Sequence, residues 1–255
     1  MKSPFVGQLL SFFLKKESPA ERAETVIKVI EKSVSQGKPG DGMKFLLELD
    51  NRLYGLLGNQ SILYGEGVHT KHRHIGYHDF FIANLAPGDR VLDIGSGNGL
   101  LCYEMAKQVA GGKVVGIEIN ERSVEDARKR YVRPNLCFVH GDAGKNLPEG
   151  EFDVVTMSNV LEHIQKRVEL LKTIVSKSNP DRIILRVPHL ERDWKVPLKK
   201  ELGVEYRLDP THCIEYTLNS FQDEITRAGL EIADFKIRWG EIWSLVRQGQ
   251  AGVGE

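Results

Sequence analysis

Three glycines at alternate positions, Gly95, Gly97 and Gly99, stand between the apolar run "RVLDIG" and the helix-like "NGLLCYEMAKQVA". Glycine lets a backbone turn tightly and lets a ligand lie against it, and the helix that follows offers unpaired N–H groups to that ligand. Two carboxylates sharpen the pattern: Asp93 just ahead of the turn, and Glu118 at the end of the next apolar run. A carboxylate at the second position can accept both hydroxyls of a ribose. Asp142 in "HGDA" follows a third apolar run, where it can bond an adenine amino group. A nicotinamide dehydrogenase is the competing reading of such glycines, but that fold prefers G-x-G-x-x-G, and here the third glycine comes one place early.

Histidines form the second group. His69, His72, His74 and His78 are four of the chain's eight and crowd into "HTKHRHIGYHDFF". Zinc wants about four inward-pointing ligands at fixed spacings, and Lys71 and Arg73 among these histidines oppose a cation, so no metal is expected. Further along, His163 in "LEHI", His189 in "VPHLERDW" and His212 in "DPTHCIEYT" are candidates for a general base, the role histidine fills most often. Asp209 and Glu215 lie three residues to either side of His212, close enough to orient its imidazole.

The elements that must position these residues alternate. "RVLDIG", "GKVVGIEI", "NLCFVH", "FDVVTM" and "DRIILRV" read as strands, separated by helix-like runs, which is the mark of βαβ units and a mostly parallel sheet. A final helix, "NSFQDEITRAGL", and the runs "EIADFKIRW" and "EIWSLVRQ" complete the pattern as an antiparallel edge pair. The expected fold is therefore α/β: a Rossmann-like, doubly wound, mostly parallel seven-stranded sheet with an antiparallel final strand. It is preceded by a helical N-terminal segment over 1–66, with helices from Glu21 to Val34 and from Gly42 to Leu57, ended by the Gly-rich "GNQSILYGEGVH". The span from 188 to 216 is too long for an ordinary connection and reads as a substrate-binding insertion in the second domain, 67–255. Its Trp194, Lys195, Lys199, Lys200, Tyr206 and Arg207 are types that stack on rings or meet phosphate.

From 69 to 248 the chain resembles the class I S-adenosylmethionine-dependent methyltransferases, whose glycine motif "VLDIGSGNG" satisfies in full. The resemblance implies S-adenosyl-L-methionine as cofactor. It implies Asp93, Gly95, Ser96 and Gly97 around its methionine part, Glu118 at the ribose, Asp142 and Ala143 beside adenine, and Asn159 in "MSNVLEHI" near the sulfonium. It also implies that the lead-in from His69 to Phe81 closes over the cofactor, with Arg73 holding its carboxylate. His212, His163 and Glu215 are the expected catalytic residues. The lead-in and loop resemble methyltransferases of surface-polysaccharide biosynthesis, so the expected acceptor is a small molecule, a sugar or a phosphorylated compound. The alternatives are C- or N-methylation of a small metabolite and a cofactor-binding module without catalysis.

Composition narrows the partners. The 35 Lys and Arg balance 35 Asp and Glu, so no global field draws the protein to nucleic acid. No run reaches the ~20 apolar residues of a membrane span. The charges Lys15, Lys16 and Glu17 stand between "FVGQLLSFFL" and the small residues Ser18 and Ala20 and argue against a secretion signal, and the three cysteines form no CxxC pair. A cytoplasmic enzyme is expected.

Overall fold

The computed structural model describes residues 17–249, so the apolar opening run lies outside the described residues. Seven strands form one sheet: β1 (Arg90–Ile94), β2 (Lys113–Glu118), β3 (Leu136–His140), β4 (Val154–Ser158), β5 (Arg182–Pro188), β6 (Leu230–Arg238) and β7 (Glu241–Gln248). Their order is β3-β2-β1-β4-β5-β7-β6. The first five run parallel, and β7 is antiparallel to both β5 and β6. The expected antiparallel edge pair is present as a hairpin turning at Trp239 and Gly240, with β7 beside β5 and β6 at the edge. Strand order reverses between β1 and β4, and a crevice at such a switch point is where open α/β sheets bind ligands.

Period-two alternation divides the core between the two faces of the sheet. Leu92, Ile94, Val155, Met157, Ile183, Leu185 and Val187 face one way; Val91, Val114, Val154, Ile184 and Trp243 face the other. The helices covering these faces are α5 (Leu100–Gln108), α6 (Glu121–Arg130), α7 (Arg167–Ser178) and α9 (Leu218–Arg227). In α9, Thr217 and Ser220 form a capping box.

The chain divides into two compact units. The smaller holds residues up to Gly58 together with Leu198–Glu205. In it α1 (Pro19–Val34) starts at a Ser18–Glu21 capping box with Pro19 in its first turn, as the sequence predicts. Helix α2 (Pro39–Tyr64) is longer than expected and carries on through "GNQSILY". Glycine inside a helix costs only about 1 kcal/mol, too little for Gly55 and Gly58 to stop a helix of this length. Lys199, expected to meet substrate phosphate, instead belongs to this unit: it is buried, with its Nζ 2.7 Å from Asp50 Oδ2 and 2.7 Å from Asn51 Oδ1.

In the larger unit the lead-in is two short helices, α3 (Lys71–Ile75) and α4 (Tyr77–Ala83), separated by Gly76 at φ 64°. Helical spacing alone, continued from Lys71 to Phe81, would put His74, Tyr77, His78 and Phe81 on one face of a single expected helix. The break turns His74 out to solvent while Tyr77, Phe80 and Phe81 enter the core. The long connection after β5 contains a 3₁₀ turn (Leu190–Arg192) and α8 (Lys195–Glu201). Its two ends meet where His189 pairs with Tyr216.

Candidate active site

Strand β1 delivers the chain into the glycine turn. Gly95, Gly97 and Gly99 all have positive φ, at 72°, 54° and 83°, a region L-residues avoid. The requirement differs between positions. A Cβ on Gly95 would stand 2.4 Å from Val160 Cγ2, whereas at Gly97 nothing lies within 4 Å. Gly95 is glycine to let the β4 loop approach, and Gly97 leaves an open cradle. Glu118 reaches back to this turn, its Oε2 accepting the Gly97 N–H at 2.9 Å and its Oε1 the Asn120 N–H at 2.9 Å. The carboxylate is aimed before a ligand arrives.

Around the cradle two buried polar atoms have no partner among the described residues, Ser96 Oγ and Asn159 Oδ1. Asn159 adopts φ 55°, a strained conformation that asparagine tolerates better than most residues. Orphaned buried polar atoms are costly unless something bonds them, so the cradle and these two atoms fit a polar ligand such as S-adenosylmethionine. Asp142 accepts the Gly144 N–H at 2.9 Å and pairs with Lys145 at 3.1 Å. Its pKa is lowered, first by Lys145 and then by that backbone bond. Ala143 packs beside it against the core.

Asp93 and Arg73 stand apart from this cradle. Asp93 is buried with its carboxylate accepting from Thr156 Oγ1 at 2.5 Å and Cys102 Sγ at 3.0 Å. Burial pushes its pKa to about 6 against those two bonds, and its visible task is to join β1, β4 and α5. Arg73 is exposed, its guanidinium over the Tyr64 ring at 5.7 Å.

The expected catalytic histidines do come together. His212 is buried, and its Nδ1 lies 2.7 Å from Glu215 Oε1. Glu215 is fixed in turn by Arg192 Nη1 at 2.5 Å and the Leu208 N–H at 2.9 Å. Burial pulls the Glu215 pKa up, but the bonds from His212 and Leu208 and the Arg192 charge outweigh it and leave it lowered. His163 packs edge-on against His212 with ring centroids 4.6 Å apart, and its Nδ1 meets Thr211 Oγ1 at 2.9 Å. Its pKa is lowered by burial and by His212.

Glu162 was not singled out by the sequence. It is fully buried, neither carboxylate oxygen has a hydrogen-bond partner among the described residues, and Oε1 lies 4.0 Å from His212 Nε2. Burial pushes its pKa to about 7. The available signal was an acid placed directly in the apolar "VLEHI". Glu162, His163 and His212 offer ligand atoms within 4.8 Å of one another, a grouping that can hold a metal ion. The lead-in histidines do not form such a grouping; His72 is kept neutral, its pKa pushed to about 4 by burial and by Lys71.

Arg186 and Glu241 were also missed. Arg186 gives Nε and Nη2 to Glu241 at 2.7 and 2.6 Å and Nη1 to Ser158 at 3.0 Å, while its guanidinium lies 3.9 Å from the Tyr77 ring centroid. The lead-in is thereby laid over the mouth of β5. Charged residues inside the apolar runs "RIILRVP" and "EIWSLV" were the clue.

The sheet order, with β7 inserted antiparallel beside β5, and the glycine turn after β1 define the Rossmann-like fold of class I methyltransferases. A family model described as "Methyltransferase domain" matches residues 69–234, and the chain belongs to this family of S-adenosylmethionine-dependent methyltransferases. It is 32% identical over 162 residues to a ubiquinone biosynthesis O-methyltransferase of Aromatoleum aromaticum, covering 60% of this chain and 68% of that protein. It is 33% identical over 109 residues to the mitochondrial ubiquinone biosynthesis O-methyltransferase of Schizosaccharomyces pombe, covering 40% of this chain and 39% of that one. Among solved structures, magnesium protoporphyrin IX methyltransferase from Synechocystis, bound to SAH, shares the fold with a TM-score of 0.54 at 21% identity, covering 69% of this chain and 84% of that one. A Haloferax volcanii methyltransferase in complex with its Trm112 activator does so with a TM-score of 0.58 at 17% identity, covering 72% and 93%. These relatives carry no sugar or polysaccharide function in their names, and that expectation has no support. No helix among the described residues is long and apolar enough to cross a membrane.

Proposed function

We propose that this enzyme O-methylates the hydroxyl of a small phenol, with His212 as the base; O-methylation is what the ubiquinone biosynthesis relatives are named for. The observation that carries this is the His212–Glu215–Arg192 chain, in which Nδ1 is tied at 2.7 Å to a carboxylate itself held by a guanidinium. With Nδ1–H donating to Glu215, Nε2 keeps its lone pair and faces Glu162 across 4.0 Å. A hydroxyl entering between them gives its proton to Nε2, and Glu215 steadies the imidazolium.

Bound S-adenosylmethionine supplies a methyl group on positively charged sulfur, so transfer is an in-line displacement governed by alignment. The residues proposed to hold it are Gly95, Ser96, Gly97 and Asn159 at the methionine part, Glu118 at the ribose, and Asp142 with Ala143 at adenine. Arg73 is proposed for its carboxylate, reached when the lead-in closes. Asp93 supports the turn from behind.

His212→Gln should lower kcat on the order of a hundredfold or more while S-adenosylhomocysteine affinity stays near wild type; full turnover would assign the histidine to loop packing. A second reading is favoured by the grouping of Glu162, His163 and His212 within 4.8 Å: a divalent cation there acidifies the acceptor hydroxyl in place of a free imidazole. Activity lost on dialysis against a chelator and restored by Mg²⁺, Mn²⁺ or Zn²⁺ would select it.

A further inference from the structure

The smaller unit leaves its apolar side chains in water. In α1, Val26, Ile27, Ile30 and Val34 share one face by helical spacing, yet no residue of α1 is buried. Val26 and Ile27 are each 47% exposed. In α2, Phe45, Leu49, Leu53, Leu56 and Leu57 form a stripe by the same spacing, and Leu53 and Leu57 are 54% and 69% exposed. Leu47 is the one buried residue of α2. It lies on another side of the helix, the side where Lys199 bonds Asp50 and Asn51 and where Asn51 Nδ2 donates to the Glu205 carbonyl at 2.7 Å. The two helices touch at their connecting turn, where a Cβ on Gly42 would stand 3.1 Å from Val34 Cγ1. Val34 ends the α1 face and Gly42 heads the α2 stripe, so both apolar surfaces open from one corner.

The size of this surface and its charge decide what covers it. A monomer rarely exposes more than a few hundred Å² of contiguous apolar surface. The 16 residues of α1 and 26 of α2 run about 24 and 39 Å, and a strip ~10 Å wide along both is on the order of 600 Å². That approaches the ~800 Å² that each partner gives to a stable protein interface. The apolar run at residues 5–14 spans only about 15 Å as a helix, a quarter or so of the combined length. Membrane-surface helices carry an excess of Lys and Arg, whereas residues 17–58 hold seven Asp and Glu against six Lys and Arg. A second copy brings an apolar face of equal length, and a two-fold axis covers both faces at once.

We infer that α1 and α2 are a dimer interface: two copies of this chain pair through these helices, and the two hairpins close into a four-helix bundle. The partner copy gives α1 the packing that a 16-residue helix, marginal by itself in water, does not receive from its own chain.

The test is sedimentation equilibrium of the full chain at micromolar concentration, with wild type expected at twice the chain mass. Val26→Glu with Ile27→Glu, and separately Leu53→Glu with Leu57→Glu, should each raise the dissociation constant about a hundredfold or more. These four side chains are exposed in the single chain, so the affinity of both variants for S-adenosylhomocysteine should match wild type. Phe235→Glu with Ile237→Glu, on the exposed edge strand β6, should leave the dimer intact. Amides of Pro19–Val34 should exchange more slowly in the wild-type dimer than in protein diluted to monomer. A wild-type monomer overturns the inference, whether it dimerises only after residues 1–16 are removed or instead sediments with vesicles of phosphatidylcholine and phosphatidylglycerol. So does a dimer that survives both helix variants, one that is lost in the β6 variant alone, or one whose α1 amides exchange at the monomer's rate.

Discussion

Glu118 and Asp93 are both acids beside the glycine turn, yet the structure gives them different work. Glu118 presents its carboxylate at the turn, held by two backbone N–H groups at 2.9 Å. Glu118→Ala should weaken S-adenosylhomocysteine binding by ~1 to 3 kcal/mol with little change in melting temperature, and calorimetry giving wild-type affinity would remove it from the donor site. Asp93, tied to Thr156 and Cys102 inside the sheet, belongs to stability. Asp93→Ala should lower unfolding free energy by about 1 to 3 kcal/mol, read by urea denaturation, because Thr156 Oγ1 loses its buried acceptor. The sequence put both acids on the right elements, since a strand and its turn are local, but it could not tell which stays at the glycine turn and which is buried inside the sheet. Glu162 escaped notice for a related reason: its neighbour His212 is far along the chain, and only folding makes an isolated acid in an apolar run meaningful.

At the scale of elements, helices with strong local signals were legible and their interruptions were not. The Ser18–Glu21 box starts α1 where the residues predict. Helix α2 overruns its expected end because two glycines cost less than the remaining hydrogen bonds return. In the lead-in, Gly76 at φ 64° splits one expected helix into two, which keeps Tyr77 against Arg186 and leaves Arg73 outside. This predicts that the segment from His69 to Phe81 gains protection from hydrogen exchange when S-adenosylhomocysteine is added. Unchanged exchange there, with protection at Gly95 to Gly99, would remove the lead-in and Arg73 from the donor site. Arg186→Met alone should destabilise by about 3 to 5 kcal/mol, since it strands the buried Glu241, while Arg186→Met with Glu241→Met should recover much of that loss.

For the molecule as a whole, the seven-stranded sheet was readable from alternating apolar runs, whereas the insertion of β7 between β5 and β6 depends on pairing that no local pattern records. Charge burial has a global signature too. The pKa of Glu162 is raised to about 7 from 4.5, so the folded state holds a proton that the unfolded state releases. Its contribution to stability is fully present below the unfolded value and is lost as pH rises through the folded one. Between those two values stability should fall with pH by at most about 1.4 kcal/mol per unit from this group, and Glu162→Gln should flatten that slope in thermal melts across the window. A slope unchanged in the variant would mean that Glu162 is ionised throughout.

The atom that receives the methyl group tests His212-assisted O-methylation most directly. Wild-type protein incubated with methyl-labelled S-adenosylmethionine and a panel of phenols, aliphatic alcohols, amines and activated carbon acids should yield label on phenolic oxygen, identified by mass spectrometry, at a rate that falls sharply in His212→Gln. Label appearing on nitrogen or carbon alone, or an equal yield from His212→Gln, would contradict it.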